Sequence, residues 1–104
     1  MDISVTHEND YYMIKLGGYF DSASSPELQK QIEDISSETF DKGGFNIVFD
    51  LAEVEFVSSA GMRVMLITKK MVDRQKGKMV VINVQQSIRE VLDMTGFSKM
   101  LNLK

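Results

Sequence analysis

Two adjacent hydroxyls, Ser58 and Ser59, stand where an apolar, β-branched stretch gives way to a run of helix formers. Residues 45–51 (FNIVFDL) have the composition of a strand. Residues 60–76 carry helical periodicity. A serine at such a junction has two uses. It can cap the helix, its oxygen accepting one of the unpaired amide N–H groups. At the first helical position it can instead accept a phosphate, which would meet free N–H groups and the positive end of the helix dipole. Ser58 is placed for the cap and Ser59 for the modification.

A helical wheel supplies context. Ala60, Gly61, Val64, Ile67, Thr68, Met71 and Val72 share one face, expected to pack on a sheet, with Met65 at its margin. Ser59, Met62, Arg63, Leu66 and Lys70 share the other. Met62 and Leu66, four apart, form an apolar pair one turn from Ser59. Such a pair is either a docking surface or the footing of a neighbouring helix. Arg63 is a cation in a first turn, where the bare helix dipole disfavours it. It is either a partner for a phosphate on Ser59 or a plain surface arginine.

Other chemistry is sparse. His7 is the only histidine, lies far from Ser59 in sequence, and reads as a surface turn residue rather than a general base. Without cysteine there is no thiolate nucleophile, disulfide framework or cysteine metal site. Gly77 and Lys78 lack the upstream glycine and the following helix of a phosphate-binding loop. Gly43 and Gly44 precede a strand, so they read as a turn rather than a dinucleotide loop. Asp50, Glu53 and Glu55 could suggest a divalent ion, but solvation and loop hydrogen bonding account for them. The expectation is no catalytic residue, no cofactor and no metal: a binding protein, not an enzyme.

Composition sets the outer limits. A chain of 104 residues with 43% hydrophobic and 26% charged residues is expected to form one domain over 1–104. A net charge of −3 and pI ≈ 5.1 leave no electrostatic footprint for nucleic acid. Neither a bilayer-spanning run nor a secretory leader is visible, and no membrane partner is expected. The lack of cysteine accords with a cytoplasmic location.

The elements that must position the serines follow in order. Ile3 to Val5 reads as a strand, residues 7–10 as a turn, and residues 11–20 as the second strand of an antiparallel hairpin. Gly17 and Gly18 suggest a bulge or bend in it. Ser25 and Pro26 read as cap and first residue of a helix whose buried stripe is Leu28, Ile32 and Ile35. Residues 41–44 form the turn into strand 45–51. The central helix is expected to stop at Gly77 in the left-handed position. Residues 79–84 suit a strand buried on both faces. Ser87 and Glu90 form a capping box for a third helix with a stripe of Ile88, Val91 and Leu92, closed by Gly96. Residues 100–103 read as a last short strand. The order β-β-α-β-α-β-α-β predicts an α/β fold: a mixed sheet with helices mainly on one face.

Asp50, Leu51, Val54, Phe56 and the run Ser58, Ser59, Ala60, Gly61 resemble the central motif of STAS domains, in particular the small stand-alone anti-sigma factor antagonists of bacteria. The resemblance extends to Leu16 through Asp21 and to Asp93 through Gly96, and so over nearly the whole chain. It implies a STAS-like sheet and a partner-switching protein. Unphosphorylated, such a protein binds an anti-sigma factor that is also a serine kinase. Phosphorylation releases it, and a metal-dependent (PP2C-type) serine phosphatase resets it. By position the phosphoacceptor is Ser59, with Ser58 the second candidate. Ser58 stands where the family usually has aspartate, Ala60 where it has serine or threonine, and Arg63 where it has glycine. Asp21 lies in the loop that resembles the family's second contact region. The expected partner-binding set is Asp21, Ser58, Met62, Arg63 and Leu66, on a monomer or weak dimer. The final helix common in the family is expected to be missing. The competing readings are an unphosphorylated structural STAS subunit of a lipid-transport or stress-signalling assembly, and a small nucleotide-binding domain.

Overall fold

The structure, a computed structural model, describes residues 2–39, 45–101 and 103. Strand β1 (Asp2–His7) and strand β2 (Tyr12–Phe20) form an antiparallel hairpin. Helix α1 (Ser25–Thr39), strand β3 (Ile47–Val57), helix α2 (Ser59–Arg74) and strand β4 (Met79–Ile82) follow. The chain continues through helix α3 (Gln86–Thr95) and a four-residue helix α4 (Phe97–Met100). The sheet order is β1-β2-β3-β4, with β2–β3 and β3–β4 parallel.

Strand alternation sorts the sheet into a covered and an open face. Ile14, Leu16, Ile47, Phe49, Leu51, Met79 and Val81 are buried, whereas Lys15, Val48, Asp50, Val80 and Ile82 between them are exposed or half-buried. Leu28, Ile32 and Ile35 of α1, Val64, Met65 and Val72 of α2, and Ile88 and Leu92 of α3 close over the covered face. The expected stripe of α1 is thus in place. Its N-terminus is built differently from the expectation. The Asp21 carboxylate accepts from the amides of Ala23 (3.0 Å) and Ser24 (3.2 Å), and the Ser25 hydroxyl donates to the Asp21 carbonyl (2.5 Å). Asp21 therefore organises the turn that leads into α1, and Ser25 is buried at the helix's first residue rather than capping it.

Other boundaries move for identifiable reasons. Strand β3 does not end at residue 51 but runs on to Val57, through the stretch expected to be a loop. Gly17 and Gly18 mark the irregularity that makes this possible. Register with β2 slips between Lys15 and Gly17 and again between Gly18 and Tyr19, and Gly18 has φ 85°. Each slip leaves one extra residue on β3, so Leu51, Val54 and Val57 are buried at intervals of three rather than two.

Helix α2 ends two residues earlier than expected, at Arg74. Lys76, not Gly77, takes the left-handed position (φ 60°), while the Gly77 amide donates to the Val72 carbonyl and the Lys76 amide to that of Asp73. Gly77 is required for another reason: a Cβ there would collide with the Phe45 backbone.

Strand β4 stops at Ile82 and lies at the margin of the sheet, half-buried on one face rather than buried on both. Helix α3 starts at Gln86, so Ser87 sits inside it, and no side chain caps it. Of its expected stripe Val91 is 42% exposed. Gly96 does close it, at φ 80°. The expected last strand reduces to one parallel bridge, Val81 to Leu103, after α4. The turn expected over residues 41–44 lies outside the described residues.

Candidate functional site

The site forms where β2 and β3 end side by side. Phe20 pairs with Val57, and the next residue, Ser58, donates its amide to the Phe20 carbonyl (2.9 Å). This bond closes the strand pair and turns the chain into α2. Ser58 is extended (φ −85°, ψ 173°), and its hydroxyl oxygen accepts from the Gly61 amide at 3.3 Å. Ser58 is therefore the cap, its oxygen aimed inward along the helix start.

Ser59 is the first residue of α2 and is exposed. Its hydroxyl has no hydrogen-bond partner among the described residues. The two serines thus divide the two uses that a junction hydroxyl can have.

Gly61 explains why the helix can begin so close to the sheet. A Cβ at this position would stand 2.7 Å from the Phe20 carbonyl oxygen and 2.9 Å from the ring. Phe20 is fully buried and cannot yield. The glycine lets the first turn of α2 rest directly on the strand end that holds Ser58.

The remaining expected site residues are placed unequally. Arg63 is exposed one turn beyond Ser59 and forms no ion pair among the described residues. Leu66 is half-buried. Met62 is 6% exposed, and its sulfur accepts from the Thr95 hydroxyl of α3 at 3.8 Å. Its expected place on a solvent face is thus corrected. Of the two uses open to it, Met62 takes the footing of a neighbouring helix, touching α3 at Thr95.

Asp21 is half-buried with its carboxylate engaged in the turn before α1, where Ser24 also donates to the Tyr19 carbonyl (3.0 Å). Its Oδ1 shapes the loop, and its Oδ2 takes none of these bonds. Asp50 lies within β3 and accepts from Asn83 (3.2 Å) and from the Ala52 amide (3.0 Å), a structural role. No group of acidic, histidine or cysteine residues suited to a metal ion is found among the described residues. His7 ends β1 and stacks on Tyr12, with centroids 4.3 Å apart.

Sequence reasoning missed an aromatic pair. Tyr19 and Phe56 are paired across β2 and β3, immediately before the residues that lead into Ser58. They are 59% and 47% exposed, with ring centroids 5.9 Å apart. The second register slip, which leaves Glu55 as the extra residue, is what re-aims Phe56. The spacing of three between Leu51, Val54 and Val57 was the available signal, since a regular strand would have spaced its buried residues by two. Exposed aromatics at the strand ends that lead into the serine junction make this end of the sheet a surface suited to binding another protein.

The comparisons agree with this geometry. The profile of the STAS domain family matches residues 2–104. BtrV of Bordetella bronchiseptica, named as a candidate anti-sigma factor antagonist, is 32% identical over 82 residues, which cover 79% of this chain and 67% of BtrV. An anti-sigma-B factor antagonist of Staphylococcus epidermidis is 25% identical over 100 residues, 96% of this chain and 88% of its own length. Among solved structures, the anti-sigma factor antagonist SpoIIAA in its unphosphorylated form superposes with TM-score 0.79 at 16% identity, over 99% of this chain and 88% of SpoIIAA. A structure of Bacillus SpoIIAA in the phosphorylated form is similar as well, with TM-score 0.73 over 99% of this chain and 91% of that one. No helix among the described residues is long and apolar enough to cross a membrane. In sequence motif, strand order and whole-chain match alike, this chain belongs to the STAS domain family.

Proposed function

We propose that the chain is an anti-sigma factor antagonist whose docking is controlled by phosphorylation of Ser59. Its partner is an anti-sigma factor that is also a serine kinase. A PP2C-type phosphatase resets the switch. The observation that carries this reading is the division of labour at the junction: Ser58 is engaged as the cap, while Ser59 stands exposed at the first position of α2. The names of the relatives support an anti-sigma factor as the partner, while the kinase and phosphatase roles follow from the family resemblance.

The physics of release follows from placement. A phosphate adds about −1.5 to −2 charges. Tyr19, Phe56 and Leu66 supply apolar surface near the junction, and a partner covering it would have to strip water from that charge, which is costly. Arg63 and the amides of the first turn hold the phosphate on the chain's own side.

The test is phosphorylation of the purified chain by candidate anti-sigma kinases with ATP, read by intact mass. Wild type and Ser58→Ala gain one phosphate, and Ser59→Ala gains none. Ser59→Asp weakens binding to the cognate kinase more than tenfold, or more than about 1.4 kcal/mol, while far-UV circular dichroism stays native. Truncation of Phe56, Tyr19 or Leu66 costs on the order of 1–2 kcal/mol of binding at one of the three at least. Phosphate on Ser59→Ala, or undiminished binding by Ser59→Asp, refutes the reading.

A further inference from the structure

Strand β3 outruns its neighbour. Pairing with β4 ends at Asp50 and Ile82, yet β3 continues to Val57. Helix α3 flanks this overhang, with the Gln85 side chain bonded to the Ala52 carbonyl (3.0 Å). Between the two lies an open cleft of about 230 Å3 lined by Phe56, Val57, Ile88, Val91 and Leu92. An apolar cavity of roughly 150 Å3 already holds a benzene ring, so the cleft has room for one leucine or phenylalanine side chain. Its rim includes Glu55.

Glu55 also borders a second, shallower depression of about 410 Å3 on the other side of β3, together with Asp2, Glu53 and Lys15. Three carboxylates face a single ammonium there. Glu53 and Glu55 are exposed, and the only ion pair among the described residues, Lys69 with Asp73, lies elsewhere on α2. The apolar cleft and the negative depression thus meet at one residue. Phe56, which lines the cleft, is also half of the aromatic pair beside Ser58.

We propose that this composite surface is a second contact region for the same anti-sigma partner, taking an apolar side chain of that partner flanked by lysine or arginine. Charge complementarity selects the occupant: an apolar side chain alone would leave the carboxylates at the rim unmatched, and an acidic segment would be repelled. The contact deepens the reading of the chain as an anti-sigma factor antagonist and rests on it. It gives the switch an anchor beyond Ser59, and of the cleft's lining only Phe56 also belongs to the surface near the serine junction.

The experiment measures affinity for the purified serine-kinase-type anti-sigma factors of the same organism by titration calorimetry, at low and at high salt. Wild type, Ser59→Asp, Val91→Arg and the double variant Glu53→Lys with Glu55→Lys are compared. All substituted side chains are exposed, and thermal melting checks that each variant folds. The expected result is a loss of at least tenfold for Val91→Arg at either salt. The charge-reversed variant should lose about tenfold at low salt, shrinking severalfold at high salt as screening removes the attraction. If Ser59→Asp loses binding while both cleft variants bind like wild type, the second contact is overturned and the antagonist reading stands. If wild type binds none of the kinases, both fall. If Val91→Arg instead abolishes self-association seen by sedimentation, the cleft belongs to a second copy of this chain and the proposal is wrong.

Discussion

Replacing Gly61 by alanine is the most direct probe of how the fold sets the site. A methyl group there would stand 2.7 Å from the Phe20 carbonyl oxygen and 2.9 Å from its ring. Neither can retreat. The oxygen accepts from the Ser58 amide, and the ring is fully buried. The first turn of α2 must therefore lift, stretching the bond that ends the strand pair. Overpacking of this kind costs about 1–3 kcal/mol. Alanine returns up to about 1 kcal/mol through its better helix propensity, and less in a first turn. The net is a loss of about 1–2 kcal/mol, which for a domain of this size lowers Tm by roughly 5–15 °C. Calorimetric melting against Ser59→Ala, which touches only an exposed position of the same turn, isolates the effect. Partner affinity should fall with stability, because the lifted turn displaces Ser59 and the rest of the helix start. A Gly61→Ala chain melting at or above wild type would refute the close-approach argument, and with it the reason for glycine in this motif.

Further outcomes follow from the same geometry. Ser58→Ala should cost about 1 kcal/mol of stability, whereas Ser58→Asp should stay near wild type, since aspartate caps as well as serine; equal urea midpoints for all three would sink the capping assignment. Gly77→Ala should cost about 3 kcal/mol or more, because the added methyl collides with the Phe45 backbone, and a soluble, wild-type-like melt would contradict it. Met62→Ala should lose about 2–4 kcal/mol through the cavity left under α3; thermal melting distinguishes this from a binding defect at unchanged stability. Ser59→Asp should melt at, or a few degrees above, the wild-type temperature while binding its partner more weakly.

The sheet, the three main helices and the serine junction were legible because each rests on local signals. The stripe of Leu28, Ile32 and Ile35 is one, and the left-handed Gly96 another. What stayed hidden depends on contacts distant in sequence. Residues 52–57 lack the two-residue alternation of a regular strand, because register slips against β2 space their buried side chains by three. A wheel places Met62 off the sheet face but cannot choose between solvent and a second helix, and that choice rests on the distant contact with Thr95 of α3. Tyr19 and Phe56 went unnoticed for the related reason that an extra residue on one strand reverses which face the next side chain takes. Gly77 was recognised as necessary but for the wrong cause: Lys76 takes the left-handed turn, and the glycine answers to the approach of Phe45.

Stability and binding should move in opposite directions when Ser59 acquires negative charge, and this separates a local switch from a conformational one. Ser59 opens α2, where a carboxylate or phosphate gains about 0.3–1 kcal/mol from the helix dipole. Its hydroxyl takes no part in the capping bond, which belongs to Ser58, so adding charge breaks no hydrogen bond that holds the fold. Arg63 stands one turn on without a carboxylate partner among the described residues, ready to pair with the new anion. Every one of these contributions favours the modified domain in isolation. The same charge becomes a burden only when a second protein covers Tyr19, Phe56 and Leu66 and removes its water. A Ser59→Asp chain that binds weakly and also melts lower would show that the charge disrupts the helix start, and the switch would then act through the fold rather than at the contact.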